Sequence, residues 1–455
     1  MPKPTSVHVC SKCDAQFPKW SGRCESCGAW GTISKEPTLP KASGDSASEI
    51  KAAPAKLTPF SQLERGTSDV GRATNVKTGL AAIDTILGNN LVPGSVTLIA
   101  GEPGMGKSTI LTELALKMAE DGKKIIYVTG EESPSQINLR LKRLSEKIPD
   151  NLYFVEDTTA EAISATLESE KPDLAIIDSI QSIKTPEASG EAGSIAQVKA
   201  SAAILTQTAK KTSVPVFFVG QVTKDGDIAG PRVLEHVVDT VLSLEGDRLH
   251  RFRILRVTKN RFGSTDETVL LDMTETGLKI VEDPSAAMMQ DRPATAPGSA
   301  IGCVLEGRRP LLVELQALVT PAGYSQPTRR ATGLDSTRLN MLLAVLQRHA
   351  GLKVYDKDVY ANVAGGFPIR DPATDLALAA AIASAVSNKP LNPKTAYFGE
   401  IGLTGELRPV PLPDLRIKEL TRMGFDTIIC PKMKNLKTPE GVQVVQVKTI
   451  SEALG

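Results

Sequence analysis

Residues Gly101-Glu102-Pro103-Gly104-Met105-Gly106-Lys107-Ser108 match the pattern GxxxxGK[ST] at every fixed position, and Thr109 follows. Glycines let the backbone fold so tightly that successive N–H groups point at phosphate oxygens. Lys107 can then reach the β- and γ-phosphates, and the Ser108 hydroxyl can ligate Mg²⁺. Residues 101–109 are therefore the expected ATP-binding set. Hydrolysis needs further groups. The apolar run Leu174-Ala175-Ile176-Ile177 ends in Asp178, a carboxylate placed to hold the Mg²⁺ shell with Ser108. Glu131 and Glu132 follow the run Ile125-Ile126-Tyr127-Val128-Thr129. Either carboxylate can orient and deprotonate an attacking water, and the residue order does not choose between them. Gln221, after Val214–Val219, is positioned to sense a γ-phosphate.

A second constellation stands near the N-terminus. Cys10-x2-Cys13 and Cys24-x2-Cys27 can offer four thiolates to one tetrahedral ion. Zinc is the expected metal, with rubredoxin-like iron the alternative. Four ligands fill the site, so the metal is structural, and it must supply the folding energy of a segment too short for a core. Trp20, Trp30, Lys12, Lys19 and Arg23 there can form either a stacking and phosphate-binding face or a small apolar plug beside solvated lysines. Cys303 and Cys430 stand alone and read as buried apolar residues.

The elements that must hold these groups follow from hydrophobic pattern. Val96–Ala100 reads as a buried strand before the phosphate loop, and Ile110–Met118 as a helix after it, so the loop meets a helix N-terminus. Strands alternating with helices imply an α/β fold, a doubly wound and mostly parallel sheet with nucleotide at the strands' carboxyl ends. At 455 residues the chain has room for two or three domains, and no apolar run nears the ~20 residues needed to cross a bilayer. With no targeting signal, the cytoplasm is the expected location. The segment 34–59, rich in Ser, Pro, Ala and Lys, reads as a tether with a reach of about 25–30 Å. A proline-rich junction at 291–299 marks a second boundary. The expected organisation is a metal module at 1–33, the tether, a nucleotide domain at 60–290, the junction, and an α+β region at 300–455. That last region shows Leu311–Leu315 as a strand and Leu339–Ala350 and Thr374–Val386 as helices. The net charge of +1 conceals basic clusters: Arg248, Arg251, Arg253, Arg256, Lys259 and Arg261, and the pairs Arg308-Arg309 and Arg329-Arg330. They suit phosphate backbones or salt-bridged strands.

Over its whole length the chain resembles the bacterial RadA (Sms) family of RecA-superfamily DNA repair ATPases. The cysteine module with Pro18-Lys19-Trp20-Ser21-Gly22-Arg23, the approach Leu91-Val92-Pro93-Gly94-Ser95, and the pentapeptide Lys259-Asn260-Arg261-Phe262-Gly263 carry the resemblance. The pentapeptide is much more specific than the phosphate loop. One departure is Gly88-Asn89-Asn90, where the family usually runs glycines; asparagine tolerates the same turn. The resemblance implies a RecA-like core, a homo-oligomeric, hexameric ring, and single-stranded or branched DNA and the RecA recombinase as partners. It further implies that Lys259 or Arg261 completes a neighbour's ATP site, and that loops Thr185–Ser194 and Thr223–Arg232 face DNA.

The C-terminal region resembles the Lon protease domain, which uses a Ser–Lys dyad. Ala373 stands at the serine position, and ungapped counting from Gly399-Glu400-Ile401-Gly402-Leu403-Thr404-Gly405 puts Asp414 at the lysine position. Alanine has no nucleophile and aspartate cannot replace the lysine, so no proteolysis is expected. The expected function is a DNA-dependent ATPase in recombinational repair, a motor that branch-migrates or unwinds DNA alongside RecA. A nucleotide-switched DNA-binding scaffold without translocation is the alternative.

Overall fold

The computed structural model describes residues 7–10, 16–17, 19–25, 27–36, 77–88, 91–221, 231–246, 252–290, 292, 295–323, 326–366, 368–434 and 436–455. Two compact units result, 1–69 and 70–455.

In the first unit, β1 (Val7–Cys10) pairs antiparallel with β2 (Gln16–Phe17) on one side and β3 (Ile33–Glu36) on the other. Ser34–Glu36, which the residue composition assigns to the tether, pair with Val7–Val9 as part of β3. The described core of this ribbon is Cys10, Cys24 and Ile33, far too little to fold unaided.

The second unit holds two large sheets. The nucleotide sheet has β4 (Val96–Gly101), β5 (Ile125–Thr129), β6 (Leu152–Val155), β7 (Leu174–Asp178), β8 (Val216–Gln221), β9 (Thr240–Gly246), β10 (Phe252–Asn260), β11 (Thr268–Thr274) and β12 (Gly277–Ile280), in the order β12-β11-β10-β9-β4-β8-β7-β5-β6. Strands β9, β4, β8, β7, β5 and β6 run parallel, and β9 to β12 form an antiparallel meander. The sheet is RecA-like in being doubly wound, and the reason is legible in its strands. They are apolar on both faces because helices cover both. Ile99, Tyr127, Ile176 and Phe217 pack on the phosphate-loop helix side, while Leu98, Ile126, Ile177 and Phe218 pack on the other. Val214 and Pro215 precede β8 rather than start it; the strand begins at Val216, and Pro215 contributes its carbonyl to Ala175 N–H.

The C-terminal region is α+β. Its sheet contains β13 (Ser299–Glu306), β14 (Arg309–Pro321), β15 (Arg329–Thr332), β16 (Lys357–Val363), β17 (Thr395–Tyr397), β20 (Thr427–Pro431) and β21 (Gln443–Val447), ordered β15-β16-β14-β13-β17-β20-β21. The short hairpin β18 (Glu400–Ile401) and β19 (Leu407–Arg408) stands apart. Helices Ser336–His349 and Asp375–Ser387 cover this sheet close to their expected spans. The two sheets share a core: Ile254 of β10 and Leu270 of β11 pack with Ala300, Leu311 and Leu339. Arg256 ties the same seam by ion pairs to Glu245 and to Glu306, which is nearly buried. No helix among the described residues is long and apolar enough to cross a membrane.

Candidate active site and metal centre

Parallel register brings four strand ends together. Gly101 lies opposite Gln221, and Thr129 lies opposite Asp178. The phosphate loop, Asp178 and the residues following β5 therefore share the carboxyl edge of the sheet. Gly106 caps helix Lys107–Glu120 at φ +102°, and a Cβ there would stand 2.8 Å from Met273 Cε and 3.1 Å from Leu278 Cδ1. Only glycine satisfies both the left-handed backbone and that close approach. The helix therefore begins with its first-turn N–H groups aimed where a phosphate would sit. Lys107 is buried and folds back along the loop, donating to the carbonyls of Gly101 at 2.8 Å and Glu102 at 2.9 Å.

Period-2 alternation sends Asp178 to the same face as Ile176, toward the phosphate-loop helix. Its Oδ2 accepts a 2.7 Å hydrogen bond from the Tyr127 hydroxyl. Burial, and then the neighbouring Asp178 charge, raise the Tyr127 phenol well above its ordinary pKa, so it stays a donor. Tyr127 also meets Thr112, whose own hydroxyl donates to the carbonyl of Ser108 at 2.6 Å. The two residues expected at the Mg²⁺ shell, Ser108 and Asp178, thus rest on one buried set of hydroxyls. A hydroxyl-bearing aromatic amid the buried aliphatic residues Ile125, Ile126 and Val128 is the signal by which Tyr127 could have been found from sequence.

The two glutamates separate in space. Glu131 accepts hydrogen bonds from the Ser179 hydroxyl and from Gln221 Nε2, the latter at 3.1 Å. It thereby spans the end of β7 between β5 and β8. Glu132 instead pairs with Arg140 on the following helix, and its N–H donates to Thr129 Oγ1. Gly130 makes this turn possible, since a Cβ there would stand 2.5 Å from Ser182 Oγ. Ser179, Arg140 and Tyr127 were not singled out from the residue order. Gln221 lies at this edge as expected, with its amide engaged by Glu131.

The pentapeptide 259–263 lies elsewhere. Lys259 and Asn260 extend β10 past Val257, where the pairing with β9 shifts register. Asn260 pairs with Thr240, and Thr240 with Thr97, so the motif stands at the amino end of β4. From there to Gly101 β4 advances about 13 Å at the ordinary rise per residue. The motif therefore faces away from this chain's own phosphate loop. Lys259 Nζ donates to the carbonyls of Val238, at 2.8 Å, and Glu235; burial and then nearby Arg261 lower its pKa. Arg261 pairs with the buried Asp239 at 3.0 Å, yet its side chain stays 47% exposed. Asn260 Oδ1 accepts the N–H of Phe262 at 3.0 Å, and the Gly263 Cα follows beside the Asn260 amide. Not all of the basic cluster is a surface patch: Arg253 is buried and Arg256 is ion-paired, while Arg248 and Arg251 lie outside the described residues. Of the loops expected to face DNA, Thr185–Ser194 is stapled by the buried Gln197 amide, which donates to the carbonyls of Thr185, Ala188 and Gly190. Residues 222–230 of the other are outside the described set, as are Asn89 and Asn90.

In the ribbon, the sulfurs of Cys10, Cys24 and Cys27 all lie within 4.8 Å of one another, with Cys10 and Cys27 3.8 Å apart. Sulfurs at about 2.3 Å from a tetrahedral ion stand about 3.8 Å apart, so the arrangement fits a bound ion and excludes a disulfide between these two. Cys13 lies outside the described residues. Trp20 and Trp30 are 62% and 76% exposed, which rules out their forming an apolar plug. Cys303 and Cys430 are buried, and burial pushes both thiols up to about 12, so they are inert.

The Lon-like dyad positions also resolve. Ala373 is buried in the turn 372–374, and Asp414 sits at the surface, accepting the Lys437 N–H at 3.3 Å. The cation beside the Ala373 turn is Arg416, two residues farther along and 1% exposed. It donates to Asp371 Oδ2 at 2.8 Å and to the carbonyls of Cys303 and Pro411, while Asp371 Oδ1 caps Ala373 N–H. A guanidinium remains protonated and cannot serve as the base. Ala373 offers no nucleophile, and the neighbouring Thr374 hydroxyl donates to the Asp371 carbonyl at 2.9 Å, so the turn is held as a structural ion pair.

The family model described as AAA domain matches residues 61–227, that of the rubredoxin metal binding domain matches 8–35, and that of subunit ChlI of Mg-chelatase matches 338–434. The DNA repair protein RadA of Listeria monocytogenes is 41% identical over 99% of this chain and 98% of its own. That of Aquifex aeolicus is 43% identical over 100% and 99%, and that of Bacillus subtilis 40% over 100% and 99%. One chain from the structure of a DnaB-like replicative helicase and its interactions with primase covers 50% of this chain and 68% of its own at TM-score 0.41 and 16% identity, too slight a likeness to carry an argument. With its phosphate loop inside an AAA domain, the protein is an ATP hydrolase, and alanine at the Lon-like serine position leaves that position without a nucleophile. The chain belongs to the DNA repair protein RadA family.

Proposed function

We propose that the protein is a DNA-dependent ATPase of recombinational repair that works as a ring on branched DNA intermediates in the cytoplasm, alongside the RecA recombinase. The observation that carries the ring is the position of residues 259–263. A cationic motif at the amino end of β4 cannot serve the chain's own nucleotide at the carboxyl end, so its use in hydrolysis requires a neighbour. A ring of six subunits is proposed on the family resemblance alone. Of its two cations, Arg261 is the one proposed to reach a neighbour's γ-phosphate. It is half exposed, whereas the Lys259 ammonium is committed to two carbonyls and acts as a strut. An arginine supplied in trans is worth about 10³–10⁵ in rate.

At the chain's own site, Lys107 and the N–H groups of 101–109 hold the ATP phosphates, while Ser108 and Asp178 would hold Mg²⁺, which supplies charge neutralisation. Glu131 is the proposed base. Its carboxylate is oriented by Ser179 and Gln221, and Gln221 links it to the neighbouring strand end where a γ-phosphate would be sensed. Glu132, paired with Arg140, shapes the turn instead. The thiolates, Cys13 included, would hold a structural zinc ion.

Mixed assemblies test the ring. A Lys107→Ala subunit still offers Arg261, and an Arg261→Ala subunit still offers an intact phosphate loop. Mixtures should recover ATP turnover wherever the two good halves meet. Mixed rings that form yet never exceed either variant alone would refute the role in trans.

A further inference from the structure

Both tryptophans of this 455-residue chain lie in the ribbon, and neither is used by the ATPase chemistry. They are also among the most exposed large apolar side chains described, at 62% and 76%. The arrangement is ordered rather than incidental. The Trp20 indole N–H donates to the carbonyl of Ile33 at 3.0 Å, which fixes one edge of the ring and leaves its body in solvent. Trp30 is held in a bridge with Arg23, whose guanidinium lies 5.9 Å over the ring centroid while its Nε donates to the carbonyl of Gly28. Gly22 lies between the two rings: a Cβ there would stand 3.9 Å from Trp20 Cη2 and 3.9 Å from Trp30 Cζ3. No side chain intervenes at that point. Both indoles border one small patch of bare backbone. Lys19 and Arg23 stand beside them, exposed.

An apolar protein contact would favour an apolar rim, whereas this rim is cationic. Residues 1–36 carry five Lys and Arg against three Asp and Glu. Flat π-faces with flanking cations are the recognition chemistry of unpaired bases and their phosphates. We propose that Trp20, Trp30, Lys19 and Arg23 form a base-stacking platform for single-stranded DNA, tolerant of sequence because every base presents a π-face. The inference deepens the DNA-dependent reading given above and rests on it.

Because the chain has no other tryptophan, emission from the full-length, metal-loaded protein reports this site alone. Oligothymidylate of about 16 nucleotides, a length that spans one binding module, carries a terminal dye so that anisotropy measures binding in the same titration. Saturable quenching of tryptophan emission should track the anisotropy. Trp30→Ala should weaken the affinity about ten-fold, a stacked base's ordinary contribution, with bound metal and ATP turnover in the absence of DNA unchanged. Trp30→Phe, which keeps a π-face, should retain most of the affinity. Binding by anisotropy with unchanged emission, or Trp30→Ala binding as the parent does, would overturn the platform. So would emission that responds only to an added protein partner. Failure of the oligonucleotide to bind at all would instead refute the DNA-binding reading beneath it.

Discussion

Replacing Tyr127 by Phe deletes one oxygen from the interior and leaves the ring's packing in place. That oxygen donates to Asp178 at 2.7 Å and meets Thr112, which in turn holds the carbonyl of Ser108. Hydrogen bonds to a charged group are worth about 1.5–3 kcal/mol net, and supporting groups behind a metal ligand typically change metal affinity or activity about 10–100-fold. Tyr127→Phe should therefore raise the Mg²⁺ concentration for half-maximal ATP turnover about ten-fold or more and lower kcat. Thermal unfolding should show a loss of about 1–3 kcal/mol, the ordinary cost of leaving a buried acceptor without its donor. Turnover measured against Mg²⁺ at saturating ATP separates the two effects. A variant with lowered stability but with kcat and Mg²⁺ dependence within two-fold of the parent would show that Tyr127 only packs, and would refute the account of how Asp178 is aimed.

The two glutamates should behave differently when neutralised. Glu131→Gln is expected to lower kcat at least about 100-fold by removing the base, and Glu132→Gln less than about five-fold, since its ion pair is part-exposed; the reverse order in steady-state assays would exchange their roles. Cys24→Ser should release the bound metal and unfold the ribbon while ATP turnover without DNA persists, as read by metal analysis and by turnover of the same sample; retained metal at the parent's stoichiometry would contradict the thiolate site. Glu113, on the phosphate-loop helix, has its carboxyl pushed up from 4.5 to about 7 by burial, against the opposing pull of the Leu278 N–H and Lys279. The folded chain holds that proton at a pH where the unfolded chain has released it, so this group's contribution to stability declines as pH rises from about 4.5 to about 7 and is level above. Glu113→Gln should flatten that slope in denaturant titrations, and an unchanged slope would refute it.

Much of the fold was legible because it depends on period and spacing. Buried strands such as Leu174–Asp178 announce themselves by apolar runs with a carboxylate at the end, and the phosphate loop by glycines whose positions the backbone dictates. The helices at 336–349 and 375–387 carried their own apolar pattern. What spacing cannot give is direction. Glu131 and Glu132 are chemically identical neighbours, and only the turn at Gly130 sends one to Ser179 and the other to Arg140. Counting without gaps points to Asp414, whereas the helix Pro413–Arg422 turns Arg416, not Asp414, to the core, a facing that a count cannot supply. The run of basic residues from 248 to 261 looked like one patch, yet alternation along β10 buries Arg253 and spends Arg256 on the seam with the C-terminal sheet. The position of the 259–263 motif at the far end of its strand depends on an antiparallel return that no local pattern encodes.

The central claim is that this fold couples ATP hydrolysis to DNA. ATP turnover by the full-length protein, measured with and without single-stranded DNA, tests it most directly, with Lys107→Ala as the companion. The account predicts turnover that rises on addition of DNA and is abolished in Lys107→Ala, because that change removes the buried cation of the phosphate loop. Turnover indifferent to DNA, or a Lys107→Ala protein within a few-fold of the parent, would contradict it.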